Sequence, residues 1–527
     1  MAKILCPLVL IALLHLCSAY KILVIFPLAG RSHNILGMGY VRHLLKAGHE
    51  VHVYYYIKKY LYYECNPMNN VYNLCFTDKM STLKAIINKE NATDVLAMLP
   101  DLIEMTKLTI NSKNLIKFAS DTTQEFDVAI TEWLFADVYA GFASLYDCPL
   151  IWSSSVEPHG WILQLVHETP NPSFNPDVLS TAIPPYSFYE RTVNLFRLIS
   201  DVILLYNFSY LEPKEKKIYE DFFAPLFAKR GKELPAFEEV VFNGTFMLTN
   251  SHSSLSQPIS VPPNVKEIGG YHIDPDTKPL PADLQKLMDE AKHGVIYFSM
   301  GSNAKSKDWP EELKKSFLEL FGGLKQTVLW KFEEKLPNLP ENVHILHWAP
   351  QQSILAHPNI RLFITHGGLL STTETVYFGV PTIVMPYGAD QHVNALRAVN
   401  KGYAKMVDLS YEMARDMKVA IEEMLSNPKY SEKVKQLSKL YHDRVVPPGK
   451  ELVHWVEHVV KTRGAPYLRS PALLLPWYQK AYLDLLALVL VILYVAKLVL
   501  TKLYCKGKSL LVNKGMLKAA VNKKKTN

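Results

Sequence analysis

The chain has 527 residues, 49% of them hydrophobic and 20% charged, with a formal net charge of +7. That length exceeds a single core and points to about three units. The positive excess does not mark a nucleic-acid binder. Eight lysines and no acid fall in the last 26 residues; without these and Lys3 the body is about −2, so the basic balance flanks an apolar segment.

Taken in chain order, residues 1–19, MAKILCPLVLIALLHLCSA, read as a signal peptide. Lys3 gives the positive start, 4–16 are almost wholly apolar, and Cys17, Ser18 and Ala19 are small enough for cleavage. An uncleaved anchor or a buried helix is the alternative. Directly after comes a continuous apolar strand over 21–28, of the kind buried on both faces of a parallel sheet. A Gly/Ser/Asn loop holding His33 follows, then a helix over about 35–47 closed by Gly48, and a strand over 51–56. FDVAIT (126–131) and CPLIWSS (148–154) are further strands around a helix, with Cys148 as a core residue. Of the six cysteines, Cys6, Cys17 and Cys505 lie in the terminal segments. Cys65, Cys75 and Cys148 are too few for a disulfide framework, and a Cys65–Cys75 bridge is left open. Asn91, Asn207 and Asn243 stand in N-x-S/T acceptors as glycosylation candidates.

A proline-rich stretch within 256–285 reads as a linker between a first domain, 20–255, and a second, 286–465. The second repeats the plan, with strands over 294–302, 327–332, 343–348, 361–366 and 381–386 and a helix over 370–378. Strand–helix alternation in both halves predicts an α/β fold of two Rossmann-like, doubly wound domains, with ligands held in the cleft beyond the carboxyl ends of the strands. A helix over 451–461 leads toward an apolar run expected to cross a membrane at 481–503. Only 485–496 is uninterrupted, so a buried core helix competes. Trp477, Tyr478 and Tyr482 on one side and Lys497 on the other favour the span. The basic tail, 504–527, then lies in the cytoplasm and the body outside it, a single-pass type I arrangement. Lys525 and Lys524, third and fourth from the end, match a dilysine retrieval signal of the endoplasmic reticulum.

The most informative stretch is FITHGGLLSTTET, residues 363–375. A buried strand that turns through Gly367 and Gly368 into a helix exposes free backbone N–H groups where the helix dipole is positive. That corner suits a phosphate, with His366, Ser371 and Thr372 as added hydrogen-bonding groups. Upstream, Trp348 could stack a base and Gln351 read its edge. Downstream, Glu374 could accept two ribose hydroxyls, and Asp390, Gln391 and Asn394 could grip a sugar. The plainer alternatives are a loop histidine, a core tryptophan, a solvated helix acid and a polar turn. Together the pieces describe a nucleotide carrying a diphosphate and a sugar.

The run from Trp348 through Gln391, W-x-x-Q-x-x-I-L, ITHGG, Glu374 and DQ, resembles the signature of the UDP-glycosyltransferase family. FSMGS (298–302), PNVKEIGGYH (263–272), GAPYLR, the apolar span and the lysine tail extend the likeness along nearly the whole chain. The resemblance implies a GT-B fold with the donor held mostly by the second domain. It implies that Trp348 and Gln351 meet uracil, Glu374 the ribose, Ser302, His366 and Gly368 the diphosphate, and Asp390 and Gln391 the sugar. It also implies His33 as the base of an inverting transfer. The partner of that base in the family is an aspartate, and Glu132 stands in its place. Leu370 occupies a position where vertebrate members carry asparagine; GGLLST looks like the insect branch, whose members mostly use UDP-glucose.

No DxD metal motif adjoins the corner and no cofactor or metal is expected beyond the donor, so a helix N-terminus and His366 would carry the charge work. Expected partners are a UDP-sugar, a small lipophilic acceptor and the membrane, with no nucleic acid; homo- or hetero-oligomerisation is left open. The acceptor pocket should draw on 67–117 and 161–210, which are equally what a helical core looks like. The expected activity is hexosyl transfer to small lipophilic aglycones, as in detoxification. Its alternatives are glucuronosyl transfer, a non-catalytic UDP-sugar- or lipophile-binding homologue, and a receptor ectodomain.

Overall fold

A computed structural model of the chain describes residues 19–28, 30–55, 71–72, 95–175, 180, 182, 184–201, 212–302, 306–388 and 390–525. Residues 1–18 of the expected signal, Asn91, Asn207, Cys65 and Cys75 lie outside them.

The apolar run after the signal forms β1 (Lys21–Phe26), whose last five residues are almost wholly buried. Helix α1 (Arg31–Lys46) leads to β2 (Glu50–Tyr55). The helix begins earlier than the sequence suggests. Gly30, extended at φ −115° and ψ 134°, is its N-cap, so His33 lies in the first helical turn rather than in a loop. The Gly/Ser/Asn composition that looks loop-like is a glycine cap followed by three residues able to take helical geometry. At the far end Gly48 adopts φ 91°, as a left-handed closure requires.

Strands β3 (Val71–Tyr72), β4 (Val128–Trp133), β5 (Leu150–Ser154), β6 (Phe246–Thr249) and β7 (Val265–Glu267) complete a parallel sheet. Its order is β3-β2-β1-β4-β5-β6-β7. The proline-rich stretch expected as a linker thus contributes a strand: β7 pairs with β6 through Met247–Val265 and its neighbours. Alternate residues face opposite layers. Leu23, Ile25, Ala129 and Trp152 pack with Phe142, Tyr219 and Phe223. On the other face Ile22, Val24, Phe26, Val128 and Ile130 meet Leu36, Tyr40, Val41 and Leu44 of α1. Each such aliphatic or aromatic burial stabilises by about 1.5–3 kcal/mol. Cys148 is buried in the first of these layers.

The second sheet is built from β8 (Val295–Ser299), β9 (Thr327–Lys331), β10 (Val343–Leu346), β11 (Ile360–Thr365), β12 (Thr382–Val384) and β13 (Ala404–Met406). Its order is β10-β9-β8-β11-β12-β13, again parallel throughout. In each sheet the strand order reverses beside the first strand of its half, between β1 and β4 and between β8 and β11. Those are the points where ligands sit in doubly wound folds. Helices α2 (Gln351–Leu355), α3 (Leu369–Phe378) and α4 (Gln391–Asn400) start at the carboxyl ends of this sheet.

After the second sheet the chain returns to the first. Helix α5 (Pro448–Lys461) lays Leu452, Val456 and Val459, all fully buried, into the layer beneath β1 and α1. Trp455 adds an aromatic contact with Phe246, ring centroids 5.2 Å apart, and Lys266 of β7 lies 4.4 Å from the Trp455 ring centroid.

Residues 470–527 form a separate unit. Within it α6 (Leu483–Lys525) is one continuous helix, so the expected tail extends it rather than forming a distinct element. Its Leu483–Met516 portion is long and apolar enough to cross a membrane and is unburied.

Candidate active site

The two reversal points face each other. On the first, the His33 imidazole projects from the opening turn of α1 toward the end of β4. Its Nδ1 lies 2.5 Å from Oε1 of Glu132, a carboxylate with no exposure. Ser155, just past β5, donates its hydroxyl to the same oxygen, and its Oγ is 3.3 Å from His33 Nδ1. Glutamate, a methylene longer than aspartate, therefore reaches the imidazole without difficulty. Burial works to lower the His33 pKa, but the charge of Glu132, its hydrogen bond and the charge of Asp390 outweigh it, and the net direction is upward. With Nδ1 committed to the carboxylate, Nε2 is the nitrogen left to meet a substrate.

Gly30 makes room for this ring. A Cβ there would come 2.8 Å from His33 Cδ2. Gly30→Ala is expected to push the imidazole off the carboxylate and lower turnover more than stability, which paired kinetics and thermal melting would check. Unchanged turnover would show that the ring has slack.

On the second reversal point, Gly301 after β8 and Gly367–Gly368 after β11 close around His366. A Cβ on Gly301 would lie 2.5 Å from His366 Cε1, and one on Gly368 2.7 Å from its Nε2. Gly301 and Gly367 have φ of 77° and 84°, which only glycine adopts readily. Gly368 is the N-cap of α3, so the first N–H groups of that helix open at the corner. Burial, then the Lys331 charge, hold the His366 pKa down at about 4. The imidazole is therefore neutral near pH 7. Among the described residues Lys331 brings a cation close to this corner, and no sequence motif marked it. Its buried ammonium donates to the Gly301 carbonyl at 2.8 Å and pairs with Glu333 at 2.6 Å. The signal available was a lysine following three apolar residues at the end of a strand, TVLWK.

Trp348, 38% exposed, follows β10. Gln351 opens α2, and its amide is committed inside the protein. Tyr297 donates to its Oε1 at 3.3 Å, while Nε2 lies 3.1 Å from Ser371 Oγ and 2.5 Å from Glu374 Oε2. Reading a base edge would require Gln351 to release some of these bonds. Glu374 also accepts from Gln352 at 2.9 Å. Burial raises the Glu374 pKa, opposed by the two glutamine donors. Thr372 turns its hydroxyl back to the Gly368 carbonyl at 3.2 Å.

Asp390 is the N-cap of α4. Asn394 donates one amide nitrogen to Asp390 Oδ2 at 2.7 Å and to the Gly367 carbonyl at 3.0 Å, tying the Asp390 turn to the glycine corner. Gln391 accepts from the backbone of Tyr387 and Gly388 at 2.7 and 3.2 Å. Burial raises the Asp390 pKa, with Asn394, His33 and Arg397 acting against it. Ser302 lies one residue past Gly301, at the same end of β8. A partly buried ion pair between Arg397 of α4 and Glu157 beyond β5, at 2.5 Å, joins the halves at the same level. Leu370 also bridges them: it packs against the layer formed by β1 and α1. The residue that departs from the vertebrate pattern is thus an apolar contact across the cleft.

The model of the family described as "UDP-glucoronosyl and UDP-glucosyl transferase" matches residues 27–518. The chain belongs to this UDP-glycosyltransferase family. It is 31% identical over 511 residues to UDP-glucosyltransferase 2 of Dactylopius coccus, covering 94% of each chain. It is 32% identical over 351 residues to UDP-glucuronosyltransferase 2B15 of Rattus norvegicus, covering 66% of this chain and 64% of that one. Among solved structures, a UDP-glucosyltransferase from Polygonum tinctorium superposes with a TM-score of 0.54 at 16% identity, covering 84% of this chain and 99% of that one. The GT-B architecture is therefore established. The protein is a glycosyltransferase that moves a sugar from a UDP-sugar to an acceptor, and its two facing reversal points can be read in those terms.

Proposed function

We propose that this glycosyltransferase transfers a hexose, glucose in the first instance, from a UDP-sugar to a hydroxyl of small lipophilic aglycones with inversion. The observation that carries the mechanism is the His33–Glu132 pair, which faces the glycine corner and feels the charge of Asp390 on the opposing half. In this reading His33 Nε2 takes the proton from the acceptor hydroxyl. The acceptor oxygen bonds to the anomeric carbon, the bond from that carbon to the diphosphate oxygen breaks, and UDP leaves with the electron pair. Glu132 holds the imidazole in its reactive tautomer and stabilises the imidazolium that forms. Gly368 and the α3 N-terminus, Ser302, His366 and Lys331 receive the charge that develops on UDP. Trp348 stacks the uracil, Gln351 and Ser371 line the slot beside it, Glu374 holds the ribose, and Asp390 with Gln391 holds the sugar.

Glucose is favoured by the relative covering 94% of the chain, which is named a glucosyltransferase, whereas the rat glucuronosyltransferase aligns over 66%. Leu370, turned into the contact between halves, also removes a polar group from the corner. Glucuronate is the second reading, supported by the family description itself. Microsomes carrying the protein would be offered UDP-glucose and UDP-glucuronate with a panel of phenols and flavonoids. Mass analysis is expected to find hexose conjugates, and uronic-acid conjugates alone would overturn the donor while keeping the family.

The reading extends to the cell. The signal-like start, the apolar span in α6 and the dilysine end together fit an endoplasmic-reticulum membrane protein with a lumenal body, acting in detoxification. Asn243, in an exposed turn before β6, is accessible as a glycan acceptor.

A further inference from the structure

The ring assigned above to uracil carries a cation from the other half of the molecule. Arg31, the first residue of α1, places its guanidinium carbon 3.1 Å from the centroid of the Trp348 ring. A guanidinium placed over an indole ring gains the attraction of the ring quadrupole, and stacking contact as its plane turns parallel. Lys331 lies farther from the same ring, its ammonium 6.0 Å from the centroid. At 3.1 Å the guanidinium carbon is in contact with the ring face. A base inserted between them would need about 3.5–4 Å to each neighbour.

We propose that Arg31 is a displaceable cover on the base-reading face of Trp348, so that donor binding exchanges a guanidinium for a uracil and Arg31 sets the donor affinity. This rests on reading Trp348 as the base platform. The exchange bears on the reaction through position alone: Arg31 and His33 share the first turn of α1. A base arriving on Trp348 therefore breaks a contact that ties the turn bearing His33 to the donor half. Arg31 is thereby a positioning and affinity-setting residue, since it touches the ring and not the reacting atoms.

The test uses the full chain in detergent and titrates it with UDP and with inorganic pyrophosphate, which engages the corner but has no base. Arg31→Ala removes both the plane and the charge. Arg31→Lys keeps the charge but loses the plane. The ratio of UDP affinity to pyrophosphate affinity cancels the general effect of charge on an anion. This ratio is expected to rise by about two-fold to thirty-fold in Arg31→Ala, and to rise in Arg31→Lys with pyrophosphate binding unchanged. In turnover with a UDP-sugar, KM should fall more than kcat changes. A ratio that stays level or falls in Arg31→Ala overturns the proposal, because Arg31 would then be a second wall of the base slot or a diphosphate ligand. Trp348→Leu made in the Arg31→Ala background, where there is no cover left to lose, separates the underlying reading. If it leaves UDP affinity unchanged, Trp348 is not the platform, and both ideas fall for that reason. If it weakens UDP while the Arg31 ratio stays level, only the cover is refuted.

Discussion

Alanine at His33 is expected to lower turnover by about two to four orders of magnitude while UDP binds as before. The separation follows from the architecture. His33 stands on the first half, at the reversal between β1 and β4, and every group assigned to UDP stands on the second. Removing the imidazole leaves the glycine corner, Lys331, Trp348 and Glu374 intact. Single-turnover transfer alongside titration with UDP would measure both sides. A mutant with ordinary turnover would end the assignment of the base, and a mutant that lost UDP binding would show that the ring shapes the donor site. The pH profile adds a signed test. The base works only when neutral, and its pKa is raised above the ordinary histidine value because Glu132 and Asp390 outweigh burial. Activity as kcat/KM should therefore fall as pH drops through a value above about 6.5.

Glu132→Gln carries the second large effect. The amide keeps the volume but removes the charge facing Nδ1, and it can present an N–H where an acceptor is needed. Loss of the correct tautomer and of the charge that stabilises imidazolium is expected to cost about 10²–10⁴ in kcat. Without the Glu132 charge, burial acts on His33 with little opposition. The acid limb of the profile should move to lower pH even as the plateau drops. A merely structural glutamate would lower the plateau without moving the limb. Glu132→Asp shortens the reach by one methylene but keeps the charge, and should return part of the rate and the limb toward its original position. If Glu132→Gln turned over normally, Ser155 or another group would have to orient the ring.

Much of this was legible in the chain because it rests on local rules. Continuous apolar runs marked β1, β8 and β11, and a strand entering Gly-Gly marked the turn into α3. What was missed depended on neighbours distant in sequence. β7 has three residues and sits in a proline-rich stretch, so no periodicity could announce it. Lys331 reads as the end of a strand until Gly301 and Glu333 are placed around it. Gln351 stands out in the sequence, while the bonds its amide makes to Tyr297, Ser371 and Glu374, which lie 54, 20 and 23 residues away, do not. Leu370 could be named as a departure from a pattern, while its contact with the opposite half needs both halves present. Nothing beside Arg31 in the sequence marks it, because Trp348 is far from it along the chain.

The return of α5 has a consequence for where this protein can be divided. Leu452, Val456 and Val459 complete a layer whose other members, such as Ile22, Val24 and Leu36, come from the first fifty residues. The half that bears His33 is therefore discontinuous, with most of the other sheet's sequence inserted into it. A fragment ending before 448 would strip one wall from that layer and expose a stripe of apolar side chains. A fragment beginning near 286 would carry α5 with nothing to cover. The smallest piece that preserves both cores runs past 461, so trimming the apolar tail is compatible with folding, whereas splitting the body into two expressed pieces is not.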